Sequence, residues 1–531
     1  MDILKEVQNV LELDLPKEVT NTLNKLAGEY VKLSNRGGAS LSEDIIPDID
    51  ALRYQAGLSD VVVTEGNSIE NVRTNLQEYL INRHSEKFLN ITSDKIARQA
   101  VEKEIVSYCT DNLIQLKGMD RKETIDFLIK DILDFGVITK PIFETDEDVE
   151  SENSRIEEIR VNDWDDIRFV VDGVEYETSL KFESPDQVMA IAQKMCRNYK
   201  ADMVKPDRPF VRLRMGNSIR VSIMGSPVAR RPDDINGTVL QMTIRKQSSK
   251  PFSKDFLFKN NTLDEYTYDL INLPIQNGIS TAFYGGTNSG KTALLTSFAH
   301  NIDNKKRIIS AAEIDEMNLR KIDPVTKKAL NSVLMWEIKP EKGMDFRKLV
   351  NSSLTFTPEV IILQEMKGPE AVDIVESSIT DHQILTSLHA KNKIVFGDRI
   401  LTMYKQSGSD LTEDLILNQV IQAFPFIVRT KLYKDGKRRV AEVGELIGYD
   451  RTTGQFEVRT LVEYTVQDTK KVIGYNEYLK KDMVKWVVTG SFKVRNFYSE
   501  KLVKEMLNNG TPREEIDRLE TEFKMRKERG D

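Results

Sequence analysis

The stretch GGTNSGKT, residues 285–292, constrains this chain more than any other. It fits G-x-x-x-x-G-K-[ST], a loop whose backbone N–H groups wrap around phosphate oxygens. Gly285, Gly286 and Gly290 let the backbone curl, with Thr287, Asn288 and Ser289 between them. ISTAFY before the loop reads as a buried strand, and TALLTSFAHNI after it as a helix whose N-terminus adds partial positive charge. Lys291 then reaches the β/γ-phosphates and the Thr292 hydroxyl ligates Mg²⁺. The alternative is a glycine turn before a helix with no ligand. Strand, loop and helix together call for an α/β fold.

A phosphate site of this kind needs a carboxylate near the metal. TPEVIILQE supplies an apolar strand ending in Glu365, at the edge where ligands collect in parallel sheets. Glu365 either holds Mg²⁺ through water, polarises the attacking water, or simply ends a strand in solvent. Glu313 and Glu316 follow the strand RIISAA, where one of them can orient a water, unless this is a solvated acidic loop. His382 and His389, two of four histidines, flank the strand ILTSL. A seven-residue extended span separates them by roughly 23 Å, too far to share one metal.

The rest of the chain divides by pattern. Residues 1–125 form a helical region in which NVRTNLQEYLINRH and KIARQAVEKEIVSYCTDNLIQL space apolar residues three and four apart, with NRGGAS at 35–40 as a loop. Residues 126–250 form an α+β domain. DEDVESEN at 146–153 reads as a surface loop, Asp172-Gly173 as a hairpin turn, SPDQVMAIAQKMCRNY as a helix capped by Ser184, and SIRVSIM and TVLQMTIRK as strands. Residues 251–465 alternate strands and helices and end in a β-meander with Asp435-Gly436 at one turn. Residues 466–531 are a partly helical extension, charged and helical over 498–528.

Of 531 residues, 30% are charged and 40% apolar, with a net charge of −8. That balance argues against recruitment of nucleic acid or anionic membrane by bulk charge. Cys109 and Cys196 cannot form a disulfide framework, which fits a reducing cytosol, and their sparsity argues against structural zinc. No apolar run approaches the ~20 residues needed to span a bilayer, and the acidic start is unlike a signal peptide.

Together these stretches resemble the secretion-superfamily ATPases of type II and type IV secretion, pili and conjugation. GGTNSGKT resembles the family's Walker A, RIISAAEIDEMNL its Asp box, PEVIILQEMKGPEAVD its Walker B and TDHQILTSLHA its His box, in the family's order. IEEIRVNDWDDIRFVVDG resembles the opening of its N-terminal domain, and IVRTKLYKDGKRRVAEVGELIG the strands beyond the His box, so the likeness covers about 125–465. The VirB11-like and Tad/Flp-pilus branch fits best, since the tetracysteine module of other branches is absent.

The resemblance implies a RecA-like P-loop core, a preceding α+β (PAS-like) domain and an extra N-terminal helical region. It implies ATP and Mg²⁺ as ligands, with Thr292 and Glu365 at the metal. Glu316 takes the place of the water-activating glutamate, with Glu313 where an acid usually precedes it. His382 and His389 take the His-box places that sense the γ-phosphate. Arg220 in NSIRVSIM, Arg214 six residues earlier and Arg245 in TIRK are the candidates for arginines reaching the nucleotide. The family usually has Gly where Gln364 stands, Arg where Lys367 stands and Glu-Asp where Ala312 and Glu313 stand. The implied protein is a homohexameric motor at the cytoplasmic face of the membrane, attached through inner-membrane platform or secretion-channel proteins. A DNA-translocating motor and a nucleotide-binding scaffold are the alternatives. A GTPase is disfavoured by the lack of an Asn/Thr-Lys-x-Asp element.

Overall fold

The structure is a computed structural model. It describes residues 69–83, 95–116, 118–143, 156–171, 173–216, 219–231, 239–246, 251–323, 325–339, 342–380, 382–450, 452–453, 455–476 and 481–531. The loops expected at 35–40 and 146–153, and Asp172 of the hairpin turn, lie outside these residues.

The chain forms two compact units, residues 1–139 and 140–531. In the first, helices α1 (Ile69–Arg83), α2 (Lys95–Asp111) and α3 (Arg121–Leu133) bury Leu76, Leu80, Val101, Ile105 and Leu128. α3 starts with a capping box, Asp120 accepting from the Glu123 N–H while Glu123 reaches back to the Asp120 N–H. α2 stops at Asp111 although the helical pattern runs on to Leu116. Thr110 and Asn112 turn their side chains back onto the Val106 and Tyr108 carbonyls, and Leu113 is left-handed at φ +50°.

The second unit contains two sheets. The smaller is antiparallel, in the order β3-β2-β1-β6-β5-β4. Its strands are β1 (Ile156–Asp163), β2 (Asp166–Val171), β3 (Val174–Glu177), β4 (Phe210–Met215), β5 (Ile219–Gly225) and β6 (Leu240–Lys246). Helix α4 (Pro185–Asn198) joins the β3 and β4 halves, capped by Ser184 with Pro185 in its first turn. β5 alternates buried and half-buried residues, so Ile219, Val221 and Ile223 face the core and Arg220 faces away.

The larger sheet has nine strands, ordered β15-β14-β13-β12-β7-β11-β10-β8-β9. β7 (Thr281–Gly285), β8 (Arg307–Ala312), β9 (Ser332–Glu337), β10 (Val360–Leu363), β11 (Gln383–His389) and β12 (Phe426–Leu432) run parallel. β13 (Arg438–Asp450), β14 (Gln455–Asn476) and β15 (Lys481–Val494) continue it antiparallel, giving the expected meander. β9, read from SVLMWE, was not apparent as a strand in the sequence.

Both faces of the parallel part are covered, as buried parallel sheets require. Phe283, Leu385 and Ile362 point to one face, packing with α5 (Glu265–Gln276), α6 (Lys291–His300) and the C-terminal helices at 500–508 and 513–529. Ala282, Tyr284, Ile384 and Ile361 point to the other, against α7 (Phe346–Leu354), α8 (Ala371–Ile379), α9 (Lys393–Gln406) and α10 (Glu413–Ala423). α11 (Glu500–Asn508) and α12 (Arg513–Arg529) bear out the helical reading of 498–528. They are joined to α5, where the Tyr498 hydroxyl donates to the Leu270 carbonyl at 2.6 Å and Arg518 pairs with Asp269 at 2.9 Å.

Candidate active site

Parallel strands put their C-terminal ends on one edge, and that edge carries the chemistry. β7 ends at Gly285, and α6 begins at Lys291. Asn288 and Gly290 adopt left-handed backbone at φ +57° and +87°, which bends the loop into α6. Ser289 shares a 2.9 Å hydrogen bond with Thr430 and pins the loop to β12. Next to Gly286, no atom lies within 4 Å of where a Cβ would stand, so that side of the loop is open.

Lys291 is 6% exposed, yet among the described residues no carboxylate pairs with it directly. Its ammonium donates to the Gly286 carbonyl at 2.9 Å and to His389 Nδ1 at 3.1 Å. Burial lowers its pKa to about 8, against the opposing pull of Glu365. His389 lies beside Gly285 in the strand register, and its Nε2 is 3.3 Å from Glu365. That contact, more than any other, lowers the Glu365 pKa. Lys291, His389 and Glu365 thus form one polar chain across three strand ends. His382 is not part of it. It lies at the entry of β11, near the opposite edge, and its buried Nδ1 has no hydrogen-bond partner among the described residues.

The smaller sheet supplies the facing wall. Arg220 forms an ion pair with Glu316 and donates to the Ile314 carbonyl at 3.2 Å. Arg214, its cross-strand partner, pairs with Glu337 at 3.0 Å. Arg245 donates to the Asn288 side chain at 3.1 Å. A cavity of about 390 Å³ lies between the walls, lined by Arg212, Arg220, Arg245, Thr287, Asn288 and Glu313 among others. Burial lowers the Arg220 pKa against the pull of Glu316, and the neighbouring cations Arg245, Arg214 and Arg212 push the same way as burial. Four arginines against two glutamates line the cavity, a net positive charge that suits an anion. Glu313 faces Lys367 at 2.8 Å.

Sequence reasoning missed several contributors. Arg438 on β13 forms a two-pronged pair with Glu157 of β1, at 2.6 Å for each prong, and donates to the Asn288 carbonyl at 2.9 Å. Arg212 was passed over, although it lies two residues before Arg214 on the same face of β4. Asp315 was passed over between two named glutamates, and it is buried. Among the described residues no cluster of three His, Cys, Asp or Glu side chains could hold a metal unaided. Thr292 and Glu365 carry oxygen donors of the kind Mg²⁺ takes, and Mg²⁺ is ordinarily bound by few protein ligands.

A glycine-rich loop at the C-terminal edge of a parallel sheet, faced by arginines from a second sheet, defines an α/β protein built around an arginine-lined cleft. The chain belongs to the Type II/IV secretion system protein family, whose model matches residues 134–448. It is 25% identical to the type IV secretion system protein PtlH of Bordetella pertussis, over 42% of this chain and 68% of that protein. It is 22% identical to a putative conjugal transfer protein of Mycobacterium tuberculosis, over 51% and 74%. Among solved structures it is similar to the ATPase DotB of Yersinia pseudotuberculosis, with 16% identity, a TM-score of 0.43 and coverage of 55% and 76%. No helix of the described residues is long and apolar enough to cross a membrane.

Proposed function

We propose that this chain is an ATP-hydrolysing motor of a secretion, pilus or conjugation machine. One observation carries the reading. Lys291 is buried in the glycine-rich loop without a direct carboxylate partner among the described residues, and the arginines of a second sheet face that loop across an open cavity. A buried cation without a carboxylate in direct contact is stabilised when an anion arrives. The β12-β7-β11-β10-β8 order, with the loop strand second, supports a RecA-like core, and the six-stranded antiparallel sheet with one helix supports a PAS-like reading of the preceding domain. A division near 250 is proposed on the same footing, whereas 125 falls inside α3 and 465 inside β14, so neither of those separates two folded bodies.

The steps follow from the residues. The loop N–H groups and Lys291 bind the β/γ-phosphates, and Arg245 and Arg220 close on the same charge from the facing sheet. Thr292 and Glu365 would hold Mg²⁺, which when bound neutralises charge on the phosphate oxygens. Glu316 orients the attacking water once Arg220 leaves it for phosphate, and Glu313 shapes that approach. His389 is placed to exchange its Lys291 contact for the γ-phosphate. Any part taken by His382 is transmitted along β11. In this reading the protein works as a homohexamer on the cytoplasmic side of the membrane, bound to platform or channel proteins.

ATP turnover and ring formation are the test. Lys291→Ala is expected to abolish turnover, by at least about 10²-fold, with an unchanged circular dichroism spectrum. Unchanged turnover would reject the site. ATP binding without hydrolysis by the wild type under any partner condition would favour the scaffold, and DNA-stimulated turnover the DNA motor.

A further inference from the structure

Gln364 stands one residue before Glu365 and is 4% exposed. Its side-chain oxygen accepts from the Glu316 backbone N–H at 3.0 Å. Its amide group donates to the Ser310 hydroxyl at 3.0 Å and to the Asp315 carboxylate. Both N–H donors of the amide are therefore used, and its oxygen holds the residue proposed to orient water. The backbone is tied as firmly. The Gln364 N–H donates to the Ala311 carbonyl at 3.0 Å, and Ser387 donates to the Gln364 carbonyl at 2.7 Å.

We infer that Gln364 is a positioning residue that sets Glu316 relative to Glu365. This rests on the proposed ATPase reading. Glu316 and Glu365 lie beyond the ends of β8 and β10, and Gln364 links those two segments directly from within the core, beneath the more exposed ion pair of Glu313 with Lys367. The link extends further. Asp315 also accepts from the Met317 N–H at 3.3 Å, and its own N–H donates to Glu337 at 3.0 Å. Glu337 in turn accepts from Arg214 at 3.0 Å. Arg220 thus grips Ile314 and Glu316 directly, and Arg214, its cross-strand partner, reaches Asp315 between them through Glu337, while Gln364 holds Asp315 and Glu316 from the core side. A glycine at 364 would leave Ser310, Asp315 and the Glu316 N–H to water. The Asp315 carboxylate is 5% exposed, so losing its amide donor releases the segment instead of leaving it in place.

The experiment is a double-mutant cycle on steady-state ATP hydrolysis. Gln364→Gly is expected to lower kcat about 10- to 100-fold, part of the 10²- to 10⁴-fold that a positioned base supplies, while KM for ATP moves no more than about twofold. Glu316→Ala is expected to lower kcat further. Adding Gln364→Gly to Glu316→Ala should change nothing more, because the two act through one group. Gln364→Asn, which keeps the amide but shortens its reach, serves if the glycine variant does not fold, and it should show the same non-additivity. Losses that add in the double variant, or a change in KM with kcat intact, would overturn the inference and leave the ATPase reading standing. A wild type without turnover would overturn both.

Discussion

A Cβ placed on Gly285 would lie 2.3 Å from the Thr430 carbonyl oxygen and 2.6 Å from the Ser289 hydroxyl. Neither can retreat, since one belongs to the β12 backbone and the other is buried in a hydrogen bond to Thr430. Gly285→Ala is therefore expected to destabilise the protein by about 1–3 kcal/mol through overpacking, measured by denaturant unfolding, and to weaken ATP binding with it. Gly286 is different, because nothing crowds it, so Gly286→Ala should leave stability unchanged. The sequence motif treats these glycines alike. Only their neighbours from β12, distant in the chain, separate the packing role from the open one. Gln364 teaches the same lesson. The sequence shows it only as a departure from the family's glycine, whereas its three side-chain partners come from segments about fifty residues away.

At the scale of elements, β11 was legible as a strand because its apolar run sits between polar ends. Its direction in the sheet was not, and direction decides that His389 meets the phosphate loop while His382 does not. β13 carries a further consequence. Glu445 is 3% exposed and accepts from the N–H and hydroxyl of Ser499, the N-cap of α11. Burial raises its pKa, outweighing those hydrogen bonds. A carboxyl whose folded pKa lies above its unfolded value binds more protons when folded in the interval between them. Its stabilisation is therefore complete below the unfolded value of 4.5 and is lost as pH rises through the folded value. Glu445→Gln should remove this part of the pH dependence, so that its melting temperature gains on the wild type as pH rises from 5 to 7. A constant difference across that range would reject the account.

At the scale of the 140–531 unit, the small sheet reaches the phosphate loop through a few polar bridges. Arg438 is the most connected, holding Glu157 with both prongs and the Asn288 carbonyl with its third nitrogen. It also lies against Gly290, whose Cβ would stand 3.1 Å from the arginine side chain. The bridge makes the loop conformation depend on where the small sheet sits. Glu157→Ala and Arg438→Ala should each weaken ATP binding about threefold or more, from a coupling on the order of 0.5–3 kcal/mol, and the double variant should bind no worse than Arg438→Ala. Isothermal titration would detect the alternative, independent losses that add.

The sequence by itself determined the local elements and the kind of ligand. The spacing of glycines, Lys291 and Thr292 is read within one loop, and strand and helix periods are read within one window. Ser184, Pro185 and Asp435-Gly436 marked their helix start and turn for the same reason, because caps and turns are made by neighbours in the chain. The tertiary structure alone decided which charges meet. Arg220 and Glu316, Arg438 and Glu157, Gln364 and Asp315 lie dozens to hundreds of residues apart. Strand order and register bring them together, and those depend on how whole faces are buried, which no local pattern encodes.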